Sequence, residues 1–134
     1  MTQEEKQLLI KDLCARLPYW PHVKTVDDDD AYIVGLDDTE EGLFYVHVLE
    51  DGDSYDATIS VKNFKPYLRL MTRMTEDEDK EFALLQINFY SDGLLYPTAA
   101  INMMNWLNAH HFDYYGLIEK GLALEAPEGT YKTE

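Results

Sequence analysis

The chain has 134 residues, enough for one domain that buries a core without disulfide or metal staples, and 46% of them are hydrophobic, which argues against wholesale disorder. Twenty-six acidic against 11 basic residues give a formal charge of −15, a field that repels phosphate backbones, argues against direct nucleic-acid binding and favours a basic protein partner. The lone Cys14 excludes an internal disulfide, no apolar run approaches the roughly 20 residues of a membrane helix, and "MTQEEKQLLI" lacks a secretory signal's basic start, so a soluble cytoplasmic protein is expected.

Residues 1–18 are expected to be helical. Thr2 followed by Glu5 is a capping box. Leu9, Leu13 and Leu17 recur every fourth residue, and Leu8 and Ile10 widen the stripe. Pro18 ends the helix, because the residue before a proline is pushed out of helical geometry. Cys14 has no base beside it in sequence, which suits a packed thiol rather than a reactive one.

From 21 to 71 the period becomes that of strands. "AYIVGL" (31–36), "LFYVHVL" (43–49) and "DATISV" (56–61) are rich in β-branched and aromatic residues, with the turn clusters "DDTEEG" and "EDGDSYD" between them. Both faces of 43–49 carry apolar groups, which predicts a central strand. "FKPYLRLM" (64–71) predicts another at a sheet edge, where Pro66 does least harm. Short strands and tight turns predict a small curled antiparallel sheet of SH3-like kind.

Residues 75–124 read as helical. Thr75 and Glu78 form a second capping box opening "TEDEDKEFALLQI", and "SDG" at 91–93 breaks the chain. Pro97 suits the first position of a helix running to about Ala109. Ala100, Ile101, Met103, Met104 and Leu107 make that helix apolar around much of its circumference, so it is expected to be the most buried one or to face a partner. Asp113 is placed to cap a short fourth helix, "YYGLIEK", ending in a Schellman stop with Gly121 at C′ and a contact between Leu117 and Leu122. Residues 125–134, with Pro127 and Gly129, read as a loosely held tail. The expected fold is α+β in one domain: an N-terminal helix, a curled sheet, and C-terminal helices packed on it.

"NAHHFDYYG" (108–116) is the stretch richest in reactive residue types. Adjacent residues point about 100° apart on a helix and oppositely on a strand, so His110 and His111 do not converge on one metal as the pair in H-E-x-x-H does. His22 and His47 look distant and isolated. A helix–helix corner is the preferred reading, with no metal and no cofactor. The competing reading is a small-ligand or hydrolytic site using His110, His111 and Asp113 beside Trp106, which needs a pocket holding at least two of those side chains.

The aspartate-rich loops do not make EF-hands: Tyr32 and Asp56 occupy the glycine positions, and Asp38 and Lys62 stand where the bidentate glutamate belongs. Ser54, Ser60 and Ser91 lie in no G-x-S-x-G elbow, and no Walker loop or G-x-G-x-x-G is present, so no catalytic residue is assigned. Tyr19, Trp20, Trp106, Tyr114 and Tyr115 combine apolar bodies with polar tips, the profile of contact hot spots, though most are expected in the core. Trp106, His110, His111, Tyr114 and Tyr115 are the candidate binding residues.

"KPYLRLMTRMTEDE" (65–78) and "WLNAHHFDYYGLIEKGLALEAPEGTY" (106–131) resemble a family of small uncharacterised bacterial proteins of Bacteroides-type gut anaerobes, often found near mobile elements. The segments cover under a third of the chain. It departs from the family pattern at Leu70, Thr72, Arg73, Tyr115 and Thr130, with Tyr115 standing where the family has arginine. The resemblance implies bacterial origin and cytoplasmic residence and supplies no catalytic residue.

The expected function is a noncatalytic protein-binding or accessory domain, of prophage or mobile-element origin, whose acidic loops meet a basic partner and whose aromatic C-terminal helices supply contact area. One version, a nucleic-acid mimic, requires the acids of 27–30, 37–41, 50–56 and 76–81 to share one continuous face. Another possibility is an obligate oligomer whose third helix is shared between copies.

Overall fold

The computed structural model describes residues 1–50, 53–92 and 97–131. Helix α1 (Gln3–Arg16) opens on its capping box: Thr2 Oγ1 accepts from the Glu5 N–H at 3.0 Å, and the Glu5 carboxylate accepts from the Thr2 N–H at 2.8 Å. Leu9 and Leu13 are fully buried, while Leu8, Ile10, Cys14 and Leu17 pack against the core. Each such leucine contributes about 1.5–3 kcal/mol by leaving water. Burial raises the Cys14 thiol's pKa, as expected for a packed side chain.

The helix stop differs from expectation. Leu17 keeps helical geometry (φ −50°, ψ −44°), and Pro18 sits inside a 3₁₀ turn over Leu17–Tyr19. A proline fits near the start of such a turn because its missing N–H would find no intrahelical partner there. The chain turns away only at Trp20, which is left-handed at φ +51°.

Six strands follow the order β4-β3-β2-β1-β5-β6 in one curled half-barrel. They are β1 (His22–Thr25), β2 (Asp30–Asp38), β3 (Leu43–Glu50), β4 (Asp53–Ser60), β5 (Phe64–Leu68) and β6 (Leu124–Glu125). All pairings are antiparallel except β5 with β6. Strand β3 has neighbours on both flanks, as its two-sided apolar pattern predicts. Phe44, Val46 and Val48 go inward with Ile33, Val23, Phe64 and Leu68 to meet the leucines of α1. The β2–β3 turn closes tightly at Gly42 (φ +68°), where an added Cβ would lie 2.8 Å from Val61 Cγ1 and 3.1 Å from Ile10 Cδ1.

Strands β1 and β6 were not expected, being too short to display a period. Strand β5 is therefore not the sheet edge. However, β6 reaches only Tyr67 and Leu68, so Pro66 faces a strand on one flank alone. Within "EDGDSYD", residues 53–56 already belong to β4, and the rest of that turn falls partly on 51–52, outside the described residues.

Helix α2 (Glu76–Asp92) begins at the Thr75–Glu78 capping box, and α3 (Thr98–Ala109) begins just after Pro97. The break expected at "SDG" falls at the end of α2, with Gly93 outside the described residues. The two helices pack chiefly on each other, and α3 also meets α1 and the 3₁₀ turn after it. Helix α3 is not the most buried helix: only Leu107 and Asn108 of it are buried. Helix α1 lies against the core, whereas α2 and α3 form a two-helix layer, which cannot enclose apolar groups on every side.

The expected fourth helix is a single turn. The Asp113 carboxylate accepts from the N–H groups of Leu117 (2.9 Å) and Ile118 (3.0 Å), and the Schellman stop arrives at once. Gly121 N–H donates to the Ile118 carbonyl and Leu122 N–H to that of Leu117, with Gly121 at φ +77°. Beyond it, where a loose tail was expected, residues 124–131 are tied down. Ala126 N–H donates to the Leu68 carbonyl at 2.7 Å, and the buried Tyr131 hydroxyl donates to that of Tyr67 at 2.9 Å and accepts from the His22 N–H at 2.7 Å. The aromatic ring of Tyr131 supplies burial that the polar, Pro- and Gly-containing segment otherwise lacks.

Candidate functional site

The "NAHHFDYYG" stretch is the corner where α3 returns to the sheet. Its geometry is a second Schellman motif: His111 N–H donates to the Asn108 carbonyl (3.1 Å) and Phe112 N–H to that of Leu107 (3.0 Å). Histidine, not glycine, takes the left-handed position, at φ +62°. The strand direction then resumes beside β5, with Arg69 N–H donating to the His111 carbonyl and Asp113 N–H to that of Arg69, both at 2.8 Å. The two segments that carry the family resemblance therefore meet here.

Two arginines clamp the corner. Arg16, fully buried, makes a two-pronged pair with Asp12 (2.8 and 3.0 Å), donates to the Phe112 carbonyl at 2.6 Å, and lies over the Tyr114 ring. Burial raises the Asp12 carboxyl's pKa against the opposing pull of Arg16. From the other side Arg69 pairs with both oxygens of Glu78 (2.7 and 2.6 Å), donates to the His110 carbonyl and stacks over Phe112. Burial pushes the Glu78 carboxyl's pKa up, but the bonds from Arg69 and Thr75 together outweigh it and hold the carboxyl below its ordinary value.

The five candidate binding residues are each engaged within this corner. Trp106 stacks on Phe82, His110 and Phe112, and its indole N–H donates to Glu81. His110 donates from Nδ1 to the Trp106 carbonyl at 2.9 Å. His111 is buried and lies flat on Tyr131, ring centroids 3.6 Å apart. Its Nδ1 has no hydrogen-bond partner among the described residues. Burial first, then the nearby Arg16 charge, lowers its pKa to about 3, so the ring is neutral near pH 7. Tyr114 donates to Asn108 at 2.5 Å, and Tyr115 packs on the core beside it.

The two imidazoles thus serve different partners, and both oxygens of Asp113 are occupied by the turn. Clefts of about 530, 340 and 340 Å³ have none of Trp106, His110, His111, Asp113, Tyr114 and Tyr115 in their linings, although one of the smaller two is lined by Arg69 and Tyr131 beside the corner. Among the described residues no group of three His, Cys, Asp or Glu is placed to hold a metal ion. No described helix is long and apolar enough to cross a membrane.

The histidines that look isolated in sequence are brought together instead. Strand register sets His22, Tyr32, His47 and Asp56 directly opposite one another across β1 to β4. Tyr32 lies 6.0 Å from the His22 ring and 5.1 Å from His47, which bonds Asp56 at 2.8 Å, and the exposed Trp20 stacks on Tyr32.

The acidic groups do not gather in the same way. Hairpin alternation puts 27–30 and Asp53 at one end of the sheet, since Asp30 pairs with Leu49, Leu49 with Ser54 and Glu50 with Asp53. Residues 37–41 lie at the other end, where Asp38 pairs with Leu43, about 25 Å away along a nine-residue strand.

The hairpin of α2 and α3 leaves several large apolar side chains outside, among exposed polar ones. Leu84, Ile87 and Tyr90 form an i, i+3, i+6 ridge exposed to 63%, 61% and 78%, and Ile101 of α3 is 55% exposed. Between Glu81 and Asp113 the one formal charge is Asp92, while the first turn of α2 carries Glu76, Asp77 and Asp79 at the surface. The periodicity of α3 signalled this surface, but that of α2 did not. No protein-family model, curated protein or solved structure matches this chain.

Proposed function

We propose that this chain is a noncatalytic protein-binding or accessory domain, and that the outer side of the α2–α3 hairpin receives an amphipathic, basic segment of its partner. The observation that supports this is the ridge of Leu84, Ile87 and Tyr90, uncovered on a helix whose first turn is acidic, with Lys80 between them paired to Glu76. Apolar side chains so exposed on adjacent turns mark interaction surfaces in folded proteins. A helical segment with leucines on one face would cover the ridge, and lysines or arginines at its flank would meet Glu76, Asp77 and Asp79. Cytoplasmic residence and kinship with the Bacteroides-type, mobile-element-associated family belong to the same proposal and rest on the two sequence segments.

The test uses two synthetic peptides of identical composition, one with leucines along one helical face and lysines along the other, one shuffled so that no such face exists. Calorimetric titration is expected to detect the first and not the second, and Leu84→Glu with Ile87→Glu is expected to weaken it at least tenfold. Attraction by charge alone would make that more acidic variant bind better. Equal binding of both peptides, or tighter binding by the variant, would overturn the reading.

A further inference from the structure

A separate feature inverts the chain's overall charge. Around the cleft of about 530 Å³ lie Lys24, Lys62, Lys65 and Lys120, four of the chain's 11 basic residues, with Glu5 as the one acid of 26. They come from β1, the β4–β5 connection, β5 and the turn before Gly121, so the fold alone assembles them. Glu5 is already committed, its carboxylate accepting the Thr2 N–H of the capping box. Lys24 bonds Asp28 at 3.0 Å, while Lys62, Lys65 and Lys120 form no salt bridge among the described residues. The same cleft is lined by Val26, Phe64, Leu122 and Leu124, of which Val26 and Leu124 have surface open to solvent.

A second observation also points to an anion. Lys24 and Lys65 stand directly opposite each other on the antiparallel strands β1 and β5. Like charges in that relation destabilise a sheet; Asp28 and Asp30, the latter directly opposite Lys24 on β2, offset Lys24, whereas Lys65 forms no salt bridge among the described residues. An anion between them would remove the repulsion. The −15 field opposes approach from afar, but at physiological salt it is screened beyond roughly 8 Å, so within the cleft the nearby lysines dominate.

We infer that this cleft is a binding site for a small organic anion, a phosphate ester carried on a flat apolar body. The four lysines hold the anionic group, and the accessible apolar lining formed by Val26 and Leu124 accepts the body. The volume suits such a ligand, since small-molecule sites fall in the range of about 300–1,000 Å³.

Phenyl phosphate, inorganic phosphate and phenol, titrated separately into the full chain and followed by amide NMR shifts, test it. Phenyl phosphate is expected to saturate one site, moving the amides of Lys62, Lys65 and Leu124, with affinity at least tenfold above either fragment. Lys62→Gln with Lys65→Gln is expected to lose at least tenfold in affinity. Lys65→Gln alone is expected to raise the melting temperature of the ligand-free chain, because the opposed charge is gone, an effect that surface lysines serving only solubility would not give. Phenyl phosphate shifts absent from these amides, inorganic phosphate binding equally well, or the double variant binding unchanged would overturn the inference.

Discussion

The α3–β5 corner and the α2–α3 hairpin reverse each other's polarity. In the corner Asp12, Arg16, Glu78, Asn108, His111 and Asp113 are buried, while along the hairpin Leu84, Ile87, Tyr90 and Ile101 stand in water. Buried charges persist only when paired and bonded, and here they tie three elements to one backbone turn. Exposed apolar ridges bring little stability, which is why the proposal reads this one as a contact surface. Polarity inside thus marks architecture in this molecule, and apolarity outside marks the proposed function.

The sharpest way to break that contrast is at Arg16. Arg16→Met strands Asp12 in the interior and is expected to cost about 3–5 kcal/mol, measured by urea denaturation. Replacing both, Asp12→Leu with Arg16→Met, is expected to restore most of the loss, because no lone charge remains. If the single change costs under about 1 kcal/mol, the pair does not hold the corner.

Next in size is a pH effect at His111. Its folded pKa is lowered to about 3, whereas in the unfolded chain the ring protonates near its ordinary value of 6.5. Between those values the unfolded state binds more protons, so this contribution is complete above the upper value and drains as pH falls, by up to roughly 1.4 kcal/mol per unit. His111→Phe keeps a ring on Tyr131 and removes the titration. Denaturation at about pH 7 and about pH 5 is expected to show a smaller acid loss in the variant than in the wild type. Identical losses would mean that the ring is not held neutral.

Thr75→Ala removes the cap that starts α2 and is expected to cost about 1 kcal/mol, read as a lower denaturation midpoint. Smallest of all, Leu84→Glu with Ile87→Glu is expected to leave stability within about 0.5 kcal/mol. A larger loss would show that the ridge packs on the body and belongs to the architecture.

The sequence made parts of this legible for definite physical reasons. Both capping boxes, the strands containing Ile33, Val46 and Ile59, and the stop at Gly121 depend on local spacing, which a chain displays directly. The Asp12–Arg16 pair was visible as an i, i+4 spacing, but nothing local distinguishes a buried pair from the solvated kind that helix surfaces carry. His22 and His47 looked isolated because strand register, fixed by two intervening turns, places them on either side of Tyr32. Apolar α3 read equally well as a core helix or an interface, since periodicity does not say how many layers cover it. The lysine cleft had no signal at all, its members being spread from position 24 to position 120.

Amide hydrogen exchange of the wild-type chain, with and without the leucine–lysine amphipathic peptide, tests the central claim most directly. The account predicts slowed exchange confined to residues 76–91 and 98–105, with 27–30 and 37–41 unchanged. Slowing at those acidic sheet loops, with the hairpin unaffected, would contradict it.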